Sequence, residues 1–263
     1  MKIKAFFTML LAGVMCLSMF GCSNTDTSSK SSETMPPTTE IAATTTSPVE
    51  KIEYEIDPSK PVIALTFDDG PNTTTTKQIL DLLQEHQVKA SFFVIGNNIN
   101  DASGEIMKLA FDMGHEINNH STTHSYMNNM TAEDIIAEIK TTDDKVKEIT
   151  GESTKFFRPP YIATSQIMYE SIDMPFICGL GCNDWDPAVT IEKRIESIVS
   201  QAKDGAIILL HDAEGNIQTV AALKQIIPQL KEQGYQFVTV SELFEAKGIS
   251  ISADDTTLYS VLQ

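Results

Sequence analysis

From about residue 51 onward, short apolar runs take turns with longer stretches whose apolar residues recur every three or four positions. Pro61-Val62-Ile63-Ala64-Leu65-Thr66-Phe67, the run over 90–95 and Ala206-Ile207-Ile208-Leu209-Leu210 are nearly continuous in apolar character. Such runs belong to strands covered on both faces. Helical stripes lie between them: Ile79, Leu80, Leu82 and Leu83; Ile106, Leu109, Ala110 and Met113; Ile135, Ile139, Val146 and Ile149; Ile191, Ile195, Ile198, Val199 and Ala202. Thr131 and Asp134 form a capping signature before the third stripe, and Gly114 and Gly151 stop the second and third. Shorter strands are predicted at 115–119, 156–157, 176–180 and 235–240. Helices are predicted at 163–172, at 217–233 despite Pro228, and after a Ser241 cap. Repeated strand–helix units imply an α/β fold with a parallel sheet under helices, closed into a barrel or near-barrel, without an internal sequence repeat. Residues 249–263 carry no firm pattern.

The 263-residue chain divides by composition. Lys2 and Lys4 precede an apolar run over 5–20, the layout of an export signal. Gly21-Cys22 closes it, so segment 1–22 resembles a signal peptide ending in a lipobox with Cys22 as the lipid site. Residues 23–50 are Ser/Thr-rich with almost nothing apolar and read as a disordered linker. The folded domain is expected over 51–248, with 249–263 as a tail. The protein is therefore expected to be exported, as a membrane lipoprotein facing the cell wall or in secreted form, and to be a monomer. A net charge of −17 disfavours nucleic acid as a partner, and none is expected, because nothing would neutralise its phosphates. Of four cysteines, Cys16 lies in the signal, and Cys178 and Cys182 read as free, partly buried thiols.

The polar clusters fall just after the strands. Asp68-Asp69-Gly70-Pro71 follows the first, where two adjacent acids call for a compensating cation. His120 and His124 follow the strand at 115–119, Arg158-Pro159-Pro160-Tyr161 the one at 156–157, Asp184-Trp185 the one at 176–180, and His211-Asp212 the run at 206–210. In a βα barrel these ends meet on one face. A His-x3-His pair plus one carboxylate gives a His₂Asp set with open positions, the donor pattern of a catalytic metal, with zinc the natural occupant. The other Asp is then free to act as base, His211 as acid, Asp184 as its orienting partner and Arg158 as the ion pair of the base. The remaining histidines are assigned to structure: His86 at a helix end and His115 in the core.

In order, these motifs resemble the polysaccharide deacetylase family, the NodB-homology carbohydrate esterases of family 4, over about 55–247. The resemblance implies a distorted (β/α) barrel, a divalent metal (Zn²⁺, or Co²⁺) and an acetylated polysaccharide as partner. It assigns Asp68 as catalytic base and Asp69, His120 and His124 as metal ligands. Arg158 positions the base, and Tyr161 contributes a backbone N–H to an oxyanion hole. Leu209 helps form the acetyl pocket, His211 is the general acid, and Trp185 lines the sugar groove, with a core Trp as the competing reading. The fourth motif departs: where the family often has Asp-x-x-Asp-Trp, this chain has Gly181-Cys182-Asn183-Asp184-Trp185. The expected reaction is removal of N-acetyl groups from a peptidoglycan- or chitin-like polymer. The alternatives are an O-acetyl xylan esterase on the same machinery, a lipid-anchored glycan-binding module with impaired catalysis, and a His₂Asp non-haem iron oxygenase. The last requires antiparallel β-structure and conflicts with the βα alternation.

Overall fold

The computed structural model describes residues 50–250 and 255–263. The signal segment, Cys22 and nearly all of the linker lie outside the described residues. The elements run β1 (Val62–Asp68), α1 (Thr75–His86), β2 (Ser91–Val94), α2 (Asp101–Asp112), β3 (Glu116–Asn119), α3 (Ala132–Thr150), α4 (Gln166–Ser171), β4 (Phe176–Ile177) and β5 (Leu180–Gly181). They continue with α5 (Ile191–Gln201), β6 (Ala206–His211), α6 (Ile217–Glu232), β7 (Gln236–Phe237), α7 (Val240–Ala246) and β8 (Leu258–Tyr259).

The sheet has the order β3-β2-β1-β6-β5, all parallel, and β7 pairs with the first residues of β1. Phe157 continues it by bridging Asn119 of β3 to Phe176 of β4. β8 pairs with β4, and Val261 bridges back to Ala206 of β6. The strands thus close on themselves as a distorted barrel, as expected.

Side-chain parity sets the two layers. Ile63, Leu65 and Phe67 of β1 pack with Ile208 and Leu210 of β6 under the apolar faces of α1, α2, α5 and α6. Val62 and Ala64 point the other way and join Phe93, Ile177, Ile207 and Val238 inside the barrel. Asp68 shares the parity of Val62 and Ala64, and His211 that of Ile207. Both therefore belong to the barrel interior, at its carboxyl end, and they are partners in the β1–β6 register.

Several local expectations change. The strand over 176–180 is broken into β4 and β5 at Gly179, which has φ +127° and sits where a Cβ would lie 2.8 Å from Leu209 Cβ. The predicted helix over 163–172 begins only at Gln166, because Tyr161 and Ile162 adopt left-handed backbone (φ 58° and 55°) in a preceding 3₁₀ turn and Ser165 is extended. α7 is capped by Thr239, in a reciprocal capping box with Glu242, and Ser241 lies inside it. The segment 249–263, assigned as a tail, carries β8 and the buried Leu262, whose N–H donates to Gly205 O at 2.8 Å. Its apolar residues are too few for a periodic signal, and its place depends on edges left open by β4 and β6. α3 keeps its Thr131 cap and Gly151 terminus as read from sequence.

Candidate active site

At the carboxyl ends of the strands the shared parity and the loops converge on one cavity of about 690 Å³. Asp68 ends β1 and is buried. Its Oδ1 accepts a 2.5 Å hydrogen bond from Arg158 Nη1, and its Oδ2 lies 3.7 Å from His120 Nε2. Burial pushes this carboxyl up, but the Arg158 charge, helped by His120 and His211, outweighs it and holds Asp68 below the ordinary range. Arg158 is itself buried and lies over the Phe93 ring, 4.1 Å from its centroid, which fixes the guanidinium.

Asp69 leaves the strand with φ +78°, and its carbonyl accepts a 2.7 Å hydrogen bond from Asn98 Nδ2. This sharp exit turns its carboxylate away from Asp68. Gly70 follows because the chain passes close over a buried acid: a Cβ there would meet Asp212 Oδ2 at 2.3 Å. Asp69 Oδ1 then lies 3.6 Å from His120 Nε2 and 3.5 Å from His124 Nε2. His120 shares its Nδ1 proton with Arg158 O at 2.7 Å, leaving Nε2 bare toward the cavity. His124 is placed by left-handed turns at Ser121 and itself (φ 65° and 55°), braced by a Ser121 Oγ hydrogen bond to its N–H. Burial and the adjacent His120 hold its imidazole below the usual range, so it is neutral and available as a donor.

These atoms fit a cation. The three donor atoms lie within 4.8 Å of one another, and Asp69 Oδ1 is buried without a hydrogen-bond partner. An orphaned buried carboxylate oxygen facing two bare imidazole nitrogens has the donor arrangement of a divalent-metal site with open positions. The reading of Asp69, rather than Asp68, as the ligand follows from this, since Asp68 is taken up by Arg158.

Across the cavity His211 Nδ1 donates to Asp184 Oδ1 at 2.8 Å, and its backbone N–H donates to Asp184 Oδ2 at 2.9 Å. Burial lowers the imidazole pKa, but the Asp184 hydrogen bond and charge, with Asp68 and Asp69 beyond, raise it to about 9. The Gly181 departure leaves this pair intact. Gly181 lines the cavity in β5, and a Cβ there would make only ordinary van der Waals contact with Leu209, no nearer than 3.5 Å. Leu209, Tyr161 and Trp185 also line the cavity. Trp185 is 62% exposed, which rules out the core reading. Cys178 and Cys182 are free thiols, as read. His115 is buried and structural, accepting from Ala90 N–H at Nδ1, and burial drives its pKa down to about 3.

Two groups of residues escape sequence reasoning. Arg194, fully buried in α5, donates from Nη1 to Asn216 Oδ1 and Thr219 Oγ1, both at 2.8 Å. Thr219 Oγ1 in turn donates to Asp184 Oδ2 at 2.7 Å, so a buried cation stands behind the Asp184–His211 pair. The signal was a charge on an apolar stripe: position 194 falls on the face of Ile191, Ile195 and Ile198. Asp212 is the second. Buried beneath Gly70, it accepts from Thr76 Oγ1 at 2.5 Å, and burial raises its pKa to about 7.

The family model for polysaccharide deacetylase matches residues 55–173. The chain is 52% identical over 189 residues to a bifunctional xylanase/deacetylase of Pseudobutyrivibrio xylanivorans, covering 72% of this chain and 31% of that protein. It is 38% identical over 210 residues to a peptidoglycan-N-acetylglucosamine deacetylase of Bacillus cereus, covering 76% of this chain and 96% of the relative. Among solved structures it is similar to a family 4 acetyl xylan esterase from Clostridium thermocellum in complex with a cobalt ion, with TM-score 0.74 and 41% identity, covering 76% of this chain and 98% of that one. The chain thus spans less than a third of the xylanase/deacetylase it matches.

Proposed function

Because this chain belongs to the polysaccharide deacetylase family, we propose that it hydrolyses acetyl groups on a glycan, with O-acetylated xylan as the first substrate and N-acetylglucosamine polymers as the second. The observation that carries the reaction is the pairing of Asp69, His120 and His124 on one wall with the Asp184-held His211 on the other. The order of substrates rests on similarity: 52% and 41% identity to proteins named for xylan, against 38% to one named for peptidoglycan. This reverses the order expected from sequence, where the motifs do not separate the two chemistries.

Asp69, His120 and His124 would hold a divalent cation, proposed as zinc with cobalt as a substitute, and that ion supplies Lewis acidity toward the acyl carbonyl and its water. The rest is the work of the side chains. Asp68, kept ionised by Arg158, accepts the proton of the attacking water. The Tyr161 N–H is assigned to the developing oxyanion. Leu209 offers apolar surface to the acetyl methyl group. His211, protonated through Asp184, donates its proton to the departing sugar oxygen or nitrogen. Export and lipid anchoring at Cys22 belong to the same reading, and labelling with a radioactive fatty acid, lost in Cys22→Ala, tests them.

The decisive assay is acetate release by the chain stripped of metal and then loaded with zinc or cobalt. Acetylated xylan and N-acetylglucosamine oligomers are offered in parallel. Metal-dependent acetate from xylan at the higher kcat/KM is expected. Release from the amide substrate alone would overturn the substrate order, and release from neither would overturn the reaction.

A further inference from the structure

Tyr126 belongs to none of the catalytic roles above, yet it borders the same cavity. Its ring lies flat on that of Tyr161, with centroids 3.9 Å apart and planes within 15°. Tyr161 in turn packs against His124 at 4.7 Å, so an aromatic ladder leads from solvent to a donor of the metal site. Both tyrosines keep more than half of their surface exposed, 57% for Tyr126 and 54% for Tyr161. Paired large aromatics left in water beside a cavity mark a place where another flat or apolar surface docks.

The ladder is held before any ligand arrives. Tyr126 is followed by the buried Met127 in a 3₁₀ turn, and Tyr161 follows Pro159 and Pro160 in a fixed left-handed backbone. A platform ordered in advance loses little conformational entropy on binding. The charge of the cavity narrows the occupant. Besides its tyrosines, its ionisable lining consists of Asp68, Asp69, Cys178 and three histidines, with no lysine or arginine. The one cationic side chain among them, His211, is already paired with Asp184. An anionic sugar would therefore meet two carboxylates and no free side-chain counter-charge, whereas the apolar C–H face of a neutral pyranose matches an aromatic ring.

We propose that Tyr126, stacked on Tyr161, is the platform for a neutral pyranose ring adjoining the acetylated one, so that the cavity takes a residue within a chain rather than a lone sugar. This rests on the deacetylase reading for which sugar is acetylated, but the platform itself is tested by binding alone.

The test is calorimetric titration of the cobalt-loaded protein with xylohexaose and with xylose, repeated with the N-acetylglucosamine hexamer and monomer. The readout is the ratio of hexamer to monosaccharide affinity in the wild-type chain, Tyr126→Ala and Tyr126→Phe. Wild type should favour one of the hexamers, Tyr126→Ala should lower that ratio about tenfold, and Tyr126→Phe should restore it. Which hexamer is favoured separates xylan-type from chitin-type chains. A wild-type chain with no preference for either hexamer, an unchanged ratio in Tyr126→Ala, or a Phe variant as defective as the Ala variant would overturn the platform. Hexamer binding without acetate release from any acetylated glycan would instead overturn the deacetylase reading and leave the platform standing.

Discussion

Asp68 and Asp69 are neighbours in the chain with different proposed duties, and the backbone between them makes the division. Asp68 keeps the strand parity that aims it at Arg158, while the φ of +78° at Asp69 swings its carboxylate to His120 and His124. Asp68→Asn should therefore cut kcat by about 10²–10⁴-fold with metal still bound, whereas His120→Ala should lower metal occupancy, both read by acetate release and metal analysis. Equal turnover in Asp68→Asn would remove Asp68 as the base. As the proposed proton donor, His211 should set the alkaline limit: activity should fall as pH rises through about 9, and Asp184→Asn should move that fall to lower pH. Linkage has the same sign: His211 binds its proton more tightly folded than unfolded. The stability it contributes is full below about 6.5, its unperturbed value, and is lost as pH passes about 9. These roles were legible because each is a distinctive residue type just after an apolar run. Tyr126 was not, since a stacked tyrosine declares itself only through a partner distant in sequence, and Arg194 showed only as a charge on an apolar stripe, its partners Asn216 and Thr219 lying 22 and 25 residues on.

Elements deliver these residues through their ends. The long helices and the central strands were readable because each carries its own periodicity and cap, as with Thr131 and Gly151 around α3. Short strands depend on neighbours, and 176–180 shows the limit: nothing local announced that Gly179 would split it. That break lets β5 return to β6 beside Leu209, the residue assigned to the acetyl group. Gly179→Ala should lower stability by about 1–3 kcal/mol, from the positive φ and the 2.8 Å approach to Leu209, while Gly181→Ala should be nearly neutral in thermal unfolding. Equal effects at both positions would contradict this account. The comparison also bears on the altered fourth motif, because a tolerant position 181 is one where a side chain was dispensable to Asp184 and His211.

At the scale of the molecule, closure is the property that no segment carried in its sequence. The ring is completed by β8 and Val261, from a stretch with no pattern of its own. Leu262→Ala should destabilise the whole domain by about 2–5 kcal/mol in denaturant titration, although it lies far in sequence from every motif. A loss confined to the last residues would show the ring to be dispensable. The two halves of the site differ in how they are mounted. Asp68 and His211 are register partners on adjacent buried strands, so their spacing is held by the backbone ladder itself. His124 hangs on a turn outside the strands. On warming, the turn should loosen first, and activity lost below the unfolding temperature should return on cooling with added zinc or cobalt. Once the ladder melts, the acid and the base part together, and heat inactivation and unfolding become one event.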